Sequence, residues 1–408
     1  MSTKASEQID FPIDEQTGHA RFKLLLLCAG IVLLALNLRP SITGVGPLTS
    51  AIQSATDLSN VLIGLLTALP LIAFGIFSPL APRLSHRWGT EWMLLVSLLG
   101  LAAGIVLRSL PQTGLLFLGT ALLGAAIAIS NVLLPSLIKR DFPRQVGLLT
   151  GVYSTLIGVG GALGDGVSIP LAQSANLGWR GSLAFWALPA ALTALIWLPL
   201  LRSHTRSNDA QANTSVRGLW RSALAWQVTF FMGLQSLGFY IVIAWFPVIF
   251  HNDGLNAADA GWMLSLLQFA GVLSSFLTPV LAGRMRSQRG LVAFAVLMSI
   301  ISYAGILNGA TELIALWCIL LGLAQGAYLS LALLFFILRT SDTHSAAALS
   351  GMAQAVGYLL AAGGPLLFGW LHDLSGGWSI PLLALILVSL ILFAVGIGAG
   401  RAATVRLR

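Results

Sequence analysis

Twelve stretches of this chain are apolar and long enough to cross a hydrocarbon layer as helices, and little sequence is left between them. A spanning helix needs about 20 mostly apolar residues. The runs lie at about 23–51, 60–81, 91–109, 113–138, 145–172 and 181–201, then at 222–250, 259–281, 290–308, 312–338, 346–370 and 378–400. Several exceed the minimum, so tilt or projection beyond the core is expected. None alternates with period 2, which excludes barrel strands. The 408 residues include only 22 Lys or Arg and 14 Asp or Glu, a charged share of 9%, against about 25% in soluble domains. So few charges cannot cover the surface of a soluble enzyme or a nucleic-acid binder, and the fold class is an all-α membrane protein. Cys28 and Cys318 both lie in apolar runs, which leaves no disulfide framework and no CxxC metal site.

Basic residues set the expected orientation, because cytoplasmic loops collect Lys and Arg. Lys4, Arg21, Lys23, Arg83, Arg87, Lys139, Arg140, Arg144, Arg202, Arg206, Arg217 and Arg221 fall on one side. So do Arg284, Arg286, Arg289, Arg339, Arg401, Arg406 and Arg408, and only Arg108 and Arg180 fall in the opposite loops. Both termini are therefore expected in the cytoplasm, and the net charge of +8 is a topology signal. The polar start, with Glu7, Asp10, Asp14 and Glu15, lacks the basic start and small-residue cleavage site of a secretory signal.

The organisation follows: a tail over 1–22, a six-helix bundle over 23–201, a linker over 202–221, a second six-helix bundle over 222–400 and a tail over 401–408. At an offset of about 200 the halves resemble one another, the mark of internal repeats. Pro47 matches Pro247, Ser78-Pro79 matches Thr278-Pro279, and Thr150-Gly151 matches Ser350-Gly351. LAPRL and LAGRM follow the two Pro positions of the second pair.

This plan resembles the major facilitator superfamily over the whole chain. The resemblance implies a secondary transporter that holds its substrate near the midplane between two rocking halves. The superfamily's loop motif is degenerate, LAPRLSHRWG, with Pro82 in place of the usual acid. Asn37-Leu38-Arg39-Pro40 followed by Gly44-Val45-Gly46-Pro47, with LIKRDFP (137–143) and AALSGMAQAVGYLLAAGGP (347–365), resembles the cyanate permease and 2-nitroimidazole transporter family. LAWQVTFF (224–231) and HDLSGGWSIPL (372–382) bring it nearer the 2-nitroimidazole branch. That family implies a bacterial inner-membrane location.

Arg39 is the residue that most calls for a function. Sixteen residues beyond Lys23, at ~1.5 Å each, it sits about 24 Å along the span, where an arginine costs ~2.5 kcal/mol or more. Its planar fork suits carboxylate-like groups, cyanate or a nitro group. Pro40 has no backbone donor and frees the Leu36 carbonyl, loosening the helix at that depth. Asp165 is the one acid well inside a span, with three readings: an ion pair with Arg39, a proton-coupling site, or a cap near the outer mouth. Amides and phenols on the other spans serve either as interhelical glue or as binding groups. Spans 1, 4, 7 and 10 line the cavity in this superfamily, so the resemblance raises Arg39, Asn131, Gln235, Tyr240 and Gln325, with Asn37 a candidate just before the arginine. Tyr358 of span 11 joins them as a candidate.

The glycines of spans 5 and 11 are expected to serve close helix packing. The six histidines have no metal-ligand spacing on one helix, so no metal and no cofactor is expected. The expected function is alternating-access transport of a small flat polar or anionic solute, with efflux of 2-nitroimidazole-like compounds first and uptake or exchange of cyanate or a related anion second. Expected partners are that solute, the bilayer and protons, with no nucleic acid, for a monomeric chain. A membrane-embedded enzyme would need acids, histidines or a nucleophile with its base at one depth, and only Arg39 and Asp165 are charged there. The two-fold repeat argues against a channel.

Overall fold

The computed structural model describes residues 15–203, 218–309 and 311–405, and every regular element among them is helical. The expectations for Lys4, Glu7, Asp10, Asp14, His204, Arg206, Arg217, Arg406 and Arg408 lie outside the described residues. The first six long helices are α1 (Glu15–Asn37), α2 (Asn60–Phe77), α3 (Thr90–Arg108), α4 (Thr113–Asp141), α5 (Val146–Gln173) and α6 (Ala187–Trp197). The second six are α7 (Ala223–Asn252), α8 (Ala257–Arg284), α9 (Arg289–Leu307), α10 (Ile314–Leu338), α11 (Thr343–Ser375) and α12 (Ser379–Ala399). A short helix, Gly178–Phe185, leads into α6.

Eleven stretches among the described residues are long and apolar enough to cross a membrane, and a bent pair makes a twelfth if counted as one span. That pair departs from the expected 60–81 run: Leu62–Phe77 and Ala81–Trp88 meet at 58°. Pro79 has no N–H to continue α2, and Pro82 suits the first turn of the next helix. Eight of the ten residues of the LAPRLSHRWG loop are thus helical, and the helix ends at Gly89, whose φ of +90° favours glycine. Elsewhere Pro70, Pro135, Pro170, Pro247, Pro279 and Pro365 stay inside helices, which neighbouring helices make tolerable. Polar caps mark several helix starts: Ser59 accepts from Leu62 N, Ser222 from Ala225 N, Asn256 from Asp259 N and Asp342 from Ser345 N.

The packing repeats with the sequence. In the first six, α3 packs on α4 and α6, α2 on α4, and α1 on α5 and α6. In the second, α9 packs on α10 and α12, α8 on α10, and α7 on α11 and α12. Each pairing recurs six helices later. The seam between the two sets obeys the same rule, since α5 lies against α8 and α11 against α2.

That seam is tight at one end. A Cβ on Gly147 would stand 2.5 Å from the Pro279 carbonyl oxygen, and one on Gly351 would stand 2.8 Å from that of Ser78. Gly151 approaches the Phe276 carbonyl in the same way, at 2.8 Å. Lys139 closes this end further: its Nζ donates to the Ile337 carbonyl at 2.9 Å, to Thr340 Oγ1 at 2.8 Å and to the Thr340 carbonyl. All of these belong to the end that carries the basic loops. At the opposite end, Cβ atoms on Gly64, Gly166, Gly261 and Gly363 would meet nothing within 4 Å.

Candidate functional site

The site is built on a break in the first span. After α1 the chain passes through Leu38 and Arg39 into a one-turn helix, Pro40–Thr43, then a 3-10 turn, Gly46–Leu48, and a helix, Thr49–Thr56. Arg39 has φ −117° and ψ −37° and stands at the N-cap of the one-turn helix, with Pro40 in its first turn, where a missing N–H is tolerated. The glycines of α5 let this broken segment in. A Cβ on Gly160 would stand 2.5 Å from the Leu36 carbonyl oxygen, and Thr43 Oγ1 donates to the Gly161 carbonyl at 2.8 Å. Their packing role is therefore visible in the geometry.

Arg39 is half-buried and turns toward the second bundle. Its Nη1 donates to Tyr240 Oη at 3.4 Å, and its guanidinium carbon lies 5.9 Å from the centre of the Phe239 ring. Tyr358 and Tyr153 are its other electrostatic neighbours. No carboxylate among the described residues lies within ion-pair distance of it. The guanidinium thus faces phenols and an aromatic face, with its charge uncompensated. Behind it, Tyr153 Oη donates to Asn131 Oδ1 at 3.3 Å, and Gln354 Nε2 donates to the Asn131 carbonyl at 3.0 Å and to Ser350 Oγ at 2.9 Å. Tyr358 meets Phe74 edge-on at 4.9 Å. Side chains from α2, α4, α5, α7 and α11 thus converge on the break in span 1.

Of the candidates from sequence, Arg39, Tyr240 and Tyr358 stand together, and Asn131 joins them through Tyr153. The remaining candidates stand apart. Asn37 faces α6: its amide nitrogen donates to Leu33 O at 2.8 Å, Thr193 Oγ1 at 3.0 Å and Pro189 O at 3.4 Å. Gln235 and Gln325 line a small cavity inside the second bundle with Phe239, Tyr303, Tyr328 and Ser389. The Gln325 amide has no hydrogen bond of normal geometry there. Trp245 on α7 donates to the Pro365 carbonyl at 2.9 Å and packs on Trp378. Asp165 is half-buried on α5, four residues beyond Gly161, so it shares that face about 6 Å further along. It forms no ion pair among the described residues, and the Arg39–Asp165 pair is not made in this conformation.

Sequence reasoning missed Phe239, Tyr153 and two charged features. A signal for Tyr153 was present: all five tyrosines lie inside apolar runs, whereas interfacial tyrosines collect at span ends. Glu91, at the start of α3, is 2% exposed and receives Arg140 at 2.6 Å, while Arg140 also pairs with Asp141 at 2.8 Å. Arg108 corrects an expectation. It is not in an outer loop but forms the last residue of α3, 1% exposed, with Nη1 donating to the Ser41 carbonyl at 2.5 Å. Arg180 remains at the surface, stacked 4.4 Å from the Trp179 ring. Among the described residues no group of His, Cys, Asp or Glu is arranged to hold a metal ion.

Known proteins are similar to this chain. Residues 25–362 match the sequence profile of the Major Facilitator Superfamily. The transporter YycB of Bacillus subtilis (strain 168) is 47% identical over 376 residues, covering 92% of this chain and 93% of that protein. The 2-nitroimidazole transporter of Escherichia coli (strain K12) is 45% identical over 383 residues, covering 94% and 97%. The cyanate transport protein CynX of the same organism is 30% identical over 349 residues, covering 85% and 90%. Among solved structures, the proton:xylose symporter XylE bound to 6-bromo-6-deoxy-D-glucose superposes with a TM-score of 0.77 at 15% identity, over 94% of this chain and 98% of that one.

Proposed function

We propose, because this chain belongs to the major facilitator superfamily, that it moves a small flat solute carrying an anionic or nitro group, with Arg39 as the direct counter-charge. Being a multi-pass membrane transporter of that superfamily is the premise; substrate, direction and residue roles are the proposal. The observation that carries it is the unpaired, half-buried Arg39 guanidinium facing Tyr240 and Phe239 at a break in span 1. Guanidinium offers two parallel donors to a planar acceptor, the tyrosine hydroxyls supply further donors, and Phe239 offers a face for a flat ring. Nitroimidazoles carry both features, and a relative 45% identical is a 2-nitroimidazole transporter. Outward movement is the leading direction.

Both termini lie in the cytoplasm in this proposal, as the basic loops require. The seam closed by Lys139 is then the cytoplasmic gate, and the solute path opens to the outside. Asp165, free of an ion pair one turn from the Arg39 level, is the coupling group, taking and releasing a proton as the halves alternate. A second reading is favoured by the same unpaired cation: cyanate or a related small anion, with the 30% identity to a cyanate transport protein behind it.

Transport in inverted vesicles and proteoliposomes, with 2-nitroimidazole and with cyanate, with and without a pH gradient, separates these readings. Arg39→Ala should abolish transport and Arg39→Lys should retain a fraction; full transport by both removes Arg39 from the site. Asp165→Asn should uncouple flux from the pH gradient, and an unchanged pH dependence in that variant sinks the coupling role.

A further inference from the structure

We infer that Arg108 is a positioning residue: through the Ser41 carbonyl it holds the broken segment of span 1 in the register that aims Arg39 at the substrate. The inference rests on the reading of Arg39 given above. In the one-turn helix after Pro40, the Gly44 N–H bonds to the Pro40 carbonyl and the Val45 N–H to the Ile42 carbonyl. The Ser41 carbonyl is left without either, on a residue only 1% exposed, where an unmet acceptor is costly. Arg108 Nη1 fills that place at 2.5 Å. On its other side the same turn is tied to α5 by Thr43 Oγ1 and the Gly161 carbonyl at 2.8 Å. Ser41 follows Arg39 by two residues, with the rigid ring of Pro40 between them, so the clamp fixes where the Arg39 backbone sits.

Stability alone gives no reason for a cation here. Arg108 is 1% exposed and has no carboxylate partner among the described residues, and its Nε and second terminal nitrogen have no hydrogen bond there. The Ser41 hydroxyl is unmet as well. A buried unpaired guanidinium with idle donors destabilises a bundle relative to an apolar side chain of similar length. What it adds is one strong, directed bond to a carbonyl that the break in span 1 exposes. Ordinary helix packing is already provided by α4, which approaches the Arg108 backbone closely at Gly119.

The test uses the full-length purified protein. Backbone amide exchange over residues 41–48 reports on the clamp without any substrate. Arg108→Gln and Arg108→Met should speed exchange there about tenfold or more, with smaller changes elsewhere, and Arg108→Lys, which keeps a charged donor, should recover most of the protection. Binding of 2-nitroimidazole should weaken by roughly tenfold in Arg108→Gln. Added to Arg39→Ala, the same substitution should weaken binding no further, since Arg108 acts through Arg39. Unchanged exchange over 41–48, exchange raised evenly across the first bundle, or an equal loss of affinity in the Arg39→Ala background would each overturn the inference. If the unaltered protein binds no 2-nitroimidazole, the substrate reading fails, and the exchange measurement alone then decides the role of Arg108. Should Arg108→Met fail to fold, the Gln and Lys variants carry the comparison.

Discussion

Gly147→Ala should shift the balance between the two ends of the transporter. An added methyl at Gly147 would stand 2.5 Å from the Pro279 oxygen, 3.1 Å from the Gly283 Cα and 3.4 Å from the Pro279 carbonyl carbon. All three are backbone atoms of α8, so no side-chain rotation relieves the clash, and ordinary contact requires the helices to part by about 1 Å. Overpacking of this kind costs ~1–3 kcal/mol, and the cost falls on the conformation in which this end is shut. The opposite conformation, where α5 and α8 separate here, is relieved of it. Its population should therefore rise about 5- to 150-fold while it remains the minor state.

Ser78→Cys is a suitable reporter, because Ser78 is fully buried at the shut end and its hydroxyl has no partner. In a background without Cys28 and Cys318, its rate of maleimide labelling should rise by that factor when Gly147→Ala is added. Gly166→Ala on the same helix is the control, since a Cβ there meets nothing within 4 Å. It shares the gain in helix propensity of Gly147→Ala without the clash. Labelling of Ser78→Cys that responds equally to both substitutions, or to neither, refutes the steric argument.

Three further outcomes follow from the contacts described. Lys139→Met removes every bond that Nζ makes across the shut end to the end of α10; the same Ser78→Cys labelling should rise by about tenfold, and no rise means the ammonium is solvated without latching. Arg140→Met leaves the buried Glu91 carboxylate without its 2.6 Å partner and should cost ~3 kcal/mol or more in unfolding, while Arg140→Met with Glu91→Met should recover much of it; failure of the double variant to recover stability would locate the cost in packing. Asp342 caps α11, accepting from Ser345 N at 2.8 Å and Ser345 Oγ at 2.7 Å, so Asp342→Ala should lower stability by ~1 kcal/mol. Burial acts to raise the Asp342 carboxyl, but the bonds from Ser345 and Ser341 outweigh it and hold the group below its ordinary value. A depressed carboxyl stabilises the fold above its unfolded value and loses that contribution as pH falls through the folded one, so the difference between wild type and Asp342→Ala in thermal unfolding should shrink on acidification.

The repeat legible in the sequence proves to be the seam itself. Thr150-Gly151 and Ser350-Gly351 match at an offset of 200, as do Ser78-Pro79 and Thr278-Pro279, and in the structure these pairs touch: Gly351 meets Ser78 and Pro82, and Gly151 meets Phe276 and Pro279. Small residues and prolines leave a mark in one sequence because backbone approach admits few substitutes. The twelve apolar runs were legible for a similar reason, since a hydrocarbon solvent imposes length and composition on each helix separately. Three-dimensional direction leaves no such mark. Asn37 and Arg39 are two residues apart and so point to different sides, one to Thr193 of α6 and the other to Tyr240 of α7; which neighbour each side meets is set by the packing.

Arg108 was hidden by a different cause. Counted by position it belongs to the outer end of a span, where an arginine is ordinary; only the fold reveals that the last turn of α3 is covered by α4 and by the broken segment of span 1. A basic residue near a span end carries two meanings, topology marker and buried donor, and the choice between them depends on whether a neighbouring helix offers an orphaned carbonyl. Here the Ser41 carbonyl is open because the one-turn helix after Pro40 ends at once, the Val45 N–H turning to the Ile42 carbonyl instead. Arg39 and Arg108 therefore both belong to the irregular stretch of span 1, Arg39 standing at its start and Arg108 reaching the Ser41 carbonyl within it.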